Sequence, residues 1–284
     1  MATKNAEKNK KCYTIKKQYY TSGLFDNSID CTYVILCCGT NPHREKQCIM
    51  QLDKFKPTKL VKLIYNKGFK NCNKELEKQS TEYDLRDALM FVFKDASHIH
   101  NNVLVLEDDF EVNMDIISQT HHINTINNFL LSYEPDVYGL GNICLINPMY
   151  LFSEHQKSMF MFISHAIIYS KSYRKAKLLK YSEKYRILPR HIDMHWNNAT
   201  DVVYRYHKQL VYQKHDITEN MKNWPVPLWF SKIFIKLLRL KTNSQNGYDN
   251  LNSLNYIVSI GFVIGMLCIF QIIWEKNATI LFRK

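Results

Sequence analysis

Short apolar runs that alternate with amphipathic stretches predict an α/β fold. Three runs have the length of a single buried strand, at residues 32–38, 59–65 and 103–106. Between the second and third runs, residues 74–96 predict one helix, with Leu85, Leu89 and Val92 on a common apolar face. Strands that alternate with helices favour a Rossmann-like, mostly parallel sheet flanked by helices.

The middle of the chain continues this alternation. Two further strands and a basic helix are predicted, at residues 137–146, 163–169 and 171–181. We therefore predict one large domain over residues 31–222. The preceding residues 1–30 are polar and rich in lysine, and they predict a basic flexible arm.

The last part of the chain contains a long uncharged segment. Residues 256–274 carry no charged side chain, and as a helix they would extend about 28 Å, close to the thickness of a bilayer core. Tyr256 and Trp274 bracket the segment like residues at a membrane interface. We predict a transmembrane helix here, preceded over residues 223–255 by an amphipathic membrane-surface helix and a polar linker. A buried core helix is the alternative.

Charge and cysteine content bear on the partner and the compartment. Lys and Arg exceed Asp and Glu by 38 to 26, and the excess gathers near the start of the chain and just before the apolar segment. Basic ends suit an anionic lipid surface or a nucleic acid. The eight cysteines include no C-x-x-C pair, and no signal peptide is recognised. We therefore expect reduced cysteines and a cytosolic catalytic domain with a single C-terminal membrane anchor.

An acidic cluster follows the third apolar run. Glu107, Asp108 and Asp109 come directly after VLVL, and open α/β sheets bind ligands at the carboxyl ends of their strands. Adjacent carboxylates repel one another unless a cation lies between them, and their oxygens suit Mn²⁺ or Mg²⁺. Such an ion neutralises the charge that builds on a departing nucleoside diphosphate. An acidic helix cap is the plainer alternative.

The sequence around this cluster resembles two groups of glycosyltransferases. The stretch from Glu82 to Asp115, which contains EDDFEV, resembles the core of N-acetylglucosaminyltransferase I and its relatives. The wider layout resembles family 25, the lipooligosaccharide galactosyltransferase type, and the two resemblances together cover roughly residues 32–213. Its matching segments are NPHR from Asn41, DVYGLG from Asp136, SHAIIYSKSYRKAKLL from Ser164 and the pair Ile192-Asp193. Both resemblances imply a GT-A type fold and transfer with inversion.

The resemblance also implies roles for single residues. Asp109 would be the main metal ligand, Asp108 would hold the metal or the ribose, and Glu107 would touch the sugar or the nucleotide. The remaining donor-binding candidates are Thr40, Arg44, Arg86 and Asp87. Asp193 would be the general base for the acceptor hydroxyl, and His195 would be a further metal ligand. A solvated helix charge is the alternative for Arg86, and a polar loop is the alternative for the segment that contains Asp193.

These features together predict a metal-dependent hexosyltransferase. It would move a sugar from a UDP-sugar donor to a hydroxyl of a glycan or glycolipid acceptor, and the C-terminal helix would bind the membrane. A nucleotidyltransferase would need a Gly-rich, Lys-bearing segment near the first strand, which CCGTNPHR matches poorly. The alternative from another class is a basic, membrane-tethered nucleic-acid-binding or scaffold protein with an inactive transferase fold. No nucleic acid partner is expected, because the basic residues gather at the chain ends instead of interleaving with aromatic residues.

Overall fold

A computed structural model of the chain describes residues 10–37, 42–97, 99–162, 165–181, 200, 202–214, 233, 236–237, 239 and 244–281. These residues form a mixed α/β domain around a nine-stranded sheet, from which a long apolar helix continues. The strand order is β1-β3-β2-β4-β9-β6-β10-β8-β7, with a separate pair β11-β5. The strands are β1 (Tyr13–Tyr19), β2 (Cys31–Cys37), β3 (Leu60–Asn66), β4 (Val103–Glu107), β5 (Phe110–Val112), β6 (Val137–Gly139), β7 (Ile143–Ile146), β8 (His155–Phe162), β9 (Ala166–Tyr169), β10 (Val203–Tyr206) and β11 (Val211–Gln213).

The helices connect these strands and cover the sheet. They are α1 (Pro42–Phe55), α2 (Thr81–Ala96), α3 (Met114–Ile117), α4 (Thr120–Tyr133), α5 (Lys171–Tyr181) and α6 (Ser244–Leu281), with short 3-10 turns at Lys10–Cys12 and Pro148–Tyr150. The hydroxyl of Ser80 accepts a hydrogen bond from the amide of Tyr83 and so caps α2.

Strand direction confirms the predicted mostly parallel sheet. The pairing pattern makes β2, β3, β4, β6, β7 and β10 run one way, and β1, β8 and β9 run the other. The parallel group β3-β2-β4 consists of the three apolar runs that the sequence predicts. Thr32 lies opposite Val61 on one side and Leu104 on the other. These strands are almost wholly apolar because both of their faces are covered.

Two apolar layers enclose the sheet. Val34 and Leu36 of β2 point into a cluster that includes α1 and α4, and the intervening Tyr33 and Ile35 point into a second cluster that includes α2. This alternation follows from the period of two along a strand. The sheet therefore has one face towards α1 and α4 and the other towards α2.

The flexible arm predicted over residues 1–30 is wrong for the residues that the structure describes from Lys10 onwards. Residues 13–19 form β1, which pairs antiparallel with β3 from Tyr13 opposite Asn66 to Tyr19 opposite Leu60. Lys16 and Lys17 of β1 are both exposed, and with the lysines before the strand they gave the segment its arm-like composition. Charged side chains are common on an edge strand because they discourage pairing with other chains.

The expectation of reduced cysteines is also wrong for one pair. Cys12 and Cys72 form a disulfide with a Cα–Cα distance of 5.8 Å, across a sequence separation of 60 residues. The bond joins the start of β1 to the loop between β3 and α2. Cys31, Cys48 and Cys268 are free thiols.

The C-terminal helix is longer than predicted, and it is continuous. Within α6, the segment Gly247–Trp274 is long and apolar enough to cross a membrane. The polar linker predicted up to residue 255 is instead helical from Ser244, and its residues Tyr248 and Leu251 are buried against the domain. The predicted amphipathic membrane-surface helix lies largely outside the described residues.

Candidate functional site

The acidic cluster lies in a tight turn at the carboxyl edge of the sheet. β4 ends at Glu107, and β5 begins at Phe110, so Asp108 and Asp109 form the connection between two strands. Both aspartates are nearly buried, with 9% and 8% of their surfaces exposed. A buried carboxylate is costly unless charges or hydrogen bonds compensate for it, so the surroundings of this turn determine what it can do.

Arg44 compensates the charge of Asp108. It lies in the first turn of α1, which follows β2, and its Nη1 lies 3.1 Å from Oδ1 of Asp108. β2 and β4 are parallel neighbours, so the residues that follow their carboxyl ends meet at one edge. The Arg44 side chain keeps 27% of its surface exposed, and its guanidinium can therefore also meet an anionic ligand.

Cys48 lies one helical turn beyond Arg44 on α1. Burial, together with the nearby carboxylates of Asp108 and Glu45, raises the pKa of its thiol to about 12. The thiol is therefore protonated at neutral pH. Its side chain packs in the apolar cluster that includes α1 and α4.

Asp109 is held by β11, a strand that the sequence pattern does not predict. Gln213 of β11 donates its side-chain amide to Oδ2 of Asp109 at 2.9 Å, and the amide of Lys214 donates to the Asp109 carbonyl at 2.8 Å. β11 pairs antiparallel with β5, with Gln213 opposite Phe110. The three-residue strand VYQ is too short to produce a recognisable pattern, and its link to Asp109 spans 104 residues.

The C-terminal helix extends this arrangement. The hydroxyl of Tyr248, in the second turn of α6, accepts a hydrogen bond from the amide of Gln213 at 3.0 Å. The Tyr248 ring lies 5.2 Å from the ring of Tyr212 and 6.4 Å from that of His165, measured between centroids. The helix that continues as the apolar span thus packs directly behind the residues that hold Asp109.

A histidine and a glycine pack between β4 and β11 next to the acidic turn. The carbonyl of His165 accepts from the amide of Glu107 at 3.0 Å, and its Nε2 lies 3.1 Å from the carbonyl oxygen of Val211. A Cβ atom at Gly141 would lie 1.8 Å from that oxygen and 2.7 Å from His165 Nε2. Only glycine fits here, because the backbone after β6 passes directly against β11.

Two other predicted donor-binding residues lie in a second polar cluster. Asp87 of α2 lies 3.4 Å from Nζ of Lys74 and accepts a hydrogen bond from Tyr13, and Arg86 lies 3.2 Å from Glu77. Lys74 is fully buried and also pairs with Asp84 at 2.5 Å. This cluster joins β1, the β3–α2 loop and α2. In this structure Asp87 stabilises that junction.

The remaining predicted site residues lie outside the described part of the chain. They are Thr40, Asp193 and His195. The donor chemistry of Asp108 and Asp109 fits Mn²⁺ or Mg²⁺, since both supply hard carboxylate oxygens. In the described residues, however, no three His, Cys, Asp or Glu side chains are grouped so that they could hold a metal ion.

Comparison with known proteins finds similarity only among solved structures. No protein-family model matches the chain, and no curated protein matches it. The chain is similar to A197 from STIV at 10% identity and a TM-score of 0.34, covering 66% of this chain and 86% of that one. It is similar to a putative glucose-1-phosphate thymidylyltransferase from Bacillus anthracis, solved with a sucrose, at 10% identity and a TM-score of 0.33, covering 64% and 89%. The second protein is by name a transferase.

Proposed function

We propose that this protein is a membrane-anchored glycosyltransferase of the GT-A type. It would move a sugar from a UDP-sugar to a hydroxyl of a glycan or glycolipid, with inversion. The observation that supports this most directly is the turn after β4, where two nearly buried aspartates lie beside an arginine from the end of β2. Buried charges at the carboxyl edge of an α/β sheet are typical of a ligand site and are costly elsewhere.

The residues of this turn suit a nucleoside diphosphate. Asp108 and Asp109 would hold Mn²⁺ or Mg²⁺, and His195 would be a third ligand. When bound, the ion supplies a positive charge that offsets the charge of the diphosphate leaving group. Arg44 pairs with Asp108 and orients it, and the exposed part of Arg44 would meet the nucleotide together with Thr40 and Glu107.

The acceptor side of the proposal rests on the segment that contains Asp193. Inverting transfer requires a base that takes the proton from the acceptor hydroxyl, and a positioned carboxylate provides it. The apolar span of α6 would anchor the protein in a membrane. A lipid-linked acceptor would then reach the site from the same surface.

Nucleotide binding by the full-length protein in detergent tests the proposal. We expect calorimetry to detect UDP binding with Mn²⁺ and none with EDTA. Asp109→Asn should abolish binding and sugar transfer while the protein stays folded, because it removes a charge and almost no volume. Asp115→Asn is the matched control, since Asp115 is an exposed aspartate on α3. Equal UDP binding with and without metal would rule out the metal-dependent mechanism, and a lack of binding in both would favour an inactive scaffold.

A further inference from the structure

Two large apolar side chains are exposed in the loop between β7 and β8. This loop contains the 3-10 turn Pro148–Tyr150, and the exposed fraction is 89% for Met149 and 96% for Phe152. Leu151, between them, is buried in the apolar cluster on the α2 face of the sheet. Because the buried Leu151 anchors the loop, the turn holds Met149 and Phe152 in their exposed positions. Single exposed apolar residues are common, so the meaning of this pair depends on what lies next to it.

The loop lies beside the apolar helix. Gln156 of β8 donates its side-chain amide to the Leu151 carbonyl at 3.2 Å and to the hydroxyl of Tyr256 at 2.6 Å. Tyr256 is in α6, and its ring packs against the same apolar cluster that contains Leu151. The exposed pair is therefore located at the level of Tyr256 along the helix.

The same level is where α6 leaves the domain. Among the side chains of α6 that are described, which extend to Trp274, Asn255 and Ser259 are the last that are buried. The large apolar residues that follow them there are exposed, including Ile260, Phe262 and Met266. The helix faces the domain before this point and has an apolar surface all round after it, as expected of a membrane span.

The thickness of a bilayer places its surface at this level. A hydrocarbon core about 30 Å thick takes about 20 helical residues. The first charged residue at the far end of the span is Glu275, so 20 residues counted back from Trp274 reach residue 255. The section from Ile260 to Trp274 alone would extend only about 22 Å, too little to cross the core. Counted in this way, the surface of the hydrocarbon core lies at the turn that contains Tyr256, which is also the level of the loop.

We propose that Met149 and Phe152 insert into the phospholipid bilayer beside α6 as a second membrane contact. This inference rests on the membrane anchoring proposed above and adds a surface that the helix alone does not supply. One helix lets the domain rotate and tilt, whereas a helix and a neighbouring loop fix which side faces the lipid. The occupant of this apolar surface is the interfacial and acyl region of one leaflet, because the loop lies beside α6 at the point where the exposed apolar side chains of the span begin.

Site-specific photo-crosslinking tests the inference in the full-length protein. A benzophenone amino acid is placed at Phe152, and the protein is reconstituted in vesicles of phosphatidylcholine and phosphatidylserine. The matched control carries the probe at Tyr19, an aromatic residue that is 69% exposed on β1. β1 and β7 are the first and last strands of the sheet, eight strand spacings or about 38 Å apart. A probe at Phe262 reports on the span itself.

We expect the probe at Phe152 to crosslink phospholipid at least about tenfold more than the probe at Tyr19, given the transfer free energy of two large apolar side chains. Adding Met149→Asp to the Phe152 probe should lower its lipid yield towards the Tyr19 value. If the probes at Phe152 and Tyr19 give equal lipid yields while the probe at Phe262 crosslinks lipid, the loop does not insert, but α6 still spans the membrane. Crosslinked protein dimers at Phe152 would show that a second copy covers the loop. A lack of lipid labelling at Phe262 would overturn the anchor and the loop contact together.

Discussion

At the scale of single residues, the two aspartates of the turn after β4 are stabilised in different ways. Asp108 has a charged partner in Arg44, and Asp109 accepts from the neutral amide of Gln213. An arginine lowers the free energy of the ionised carboxylate through charge, whereas an amide fixes its orientation at a smaller electrostatic gain. Both contacts fix the orientation of a carboxylate that is proposed to hold a cation.

Asp193→Asn should separate transfer from donor binding. A general base typically contributes about 10²–10⁴ in rate, so we expect turnover to fall in that range while UDP affinity stays near that of the wild type. Initial rates of transfer and calorimetry with UDP measure the two quantities. Asp201→Asn is the comparison, since it removes a neighbouring carboxylate of the same charge. Near-normal turnover in Asp193→Asn would exclude this residue, and a loss in Asp201→Asn would assign the role there.

His155 should make the stability of the domain sensitive to acid. It stacks on Phe129 with ring centroids 3.9 Å apart and lies 2.8 Å from the hydroxyl of Tyr138. Burial lowers the pKa of His155 to about 4 from 6.5, with the charge of Glu154 opposing this and that of His207 adding to it. Between these two pH values the unfolded chain binds more protons than the folded one, so stability falls as the pH drops from 6.5 to about 4.

The variant His155→Gln keeps a hydrogen-bonding group and removes the titration. We expect the free energy of unfolding in urea to depend less steeply on pH in this variant than in the wild type over the same interval. A slope that matches the wild type would mean that His155 does not contribute to the acid sensitivity.

At the scale of elements, the sequence pattern predicts the three central parallel strands, β9 and the segment that became β6 and β7, but it does not predict the other strands or the pairing of the strands. The runs that became β2, β3 and β4 are apolar on both faces, so their pattern alone identifies them as buried strands. β9 was predicted as a strand, but the sequence does not reveal that it pairs antiparallel with β4. β5, β10 and β11 have three or four residues each, which is too few for a periodic signal.

The start of α6 differs from the predicted polar linker for another reason. Its polar residues resemble a linker, yet Asn252 accepts a hydrogen bond from the buried Arg205 at 3.0 Å and exchanges two with Gln209, at 3.1 and 2.6 Å. Arg205 also donates to Gln156 and to the carbonyl of Asn142. Partners of this kind are assigned by tertiary contacts, and composition does not indicate them.

Asn252→Leu should therefore loosen α6 from the sheet. The change leaves buried polar groups of Arg205 and Gln209 without their partner, at a cost of about 1–3 kcal/mol. We expect a lower midpoint of thermal unfolding in detergent and faster proteolysis at the start of α6. Ser253→Leu, at an adjacent exposed position, is the control and should change neither. Equal midpoints for the two variants would mean that the Arg205 network does not stabilise the docked helix.

At the scale of the whole molecule, the disulfide between Cys12 and Cys72 ties the edge strand to the loop that carries Lys74. Cys72→Ser should lower the free energy of unfolding by about 2–4 kcal/mol, because the unfolded chain regains the freedom that the bond removes. Urea unfolding of the wild type with and without reductant measures the same difference. Reductant should leave Cys72→Ser unchanged. A wild type that is indifferent to reductant would show that the bond is not formed in solution.

The same bond has a consequence for the side of the membrane on which the domain matures. Glutathione and thioredoxin keep thiols reduced in most cytosols, whereas disulfides persist in secretory and periplasmic compartments. A domain that needs the Cys12–Cys72 bond would therefore reach full stability only after it has crossed the membrane into such an oxidising compartment. There it would meet acceptors on the non-cytosolic face of the membrane. Thiol trapping of newly made chains with a maleimide reagent distinguishes the two sides. If the chains become oxidised only after translocation, the result supports the non-cytosolic location. If the chain stays reduced and is still fully stable, the result supports a cytosolic location.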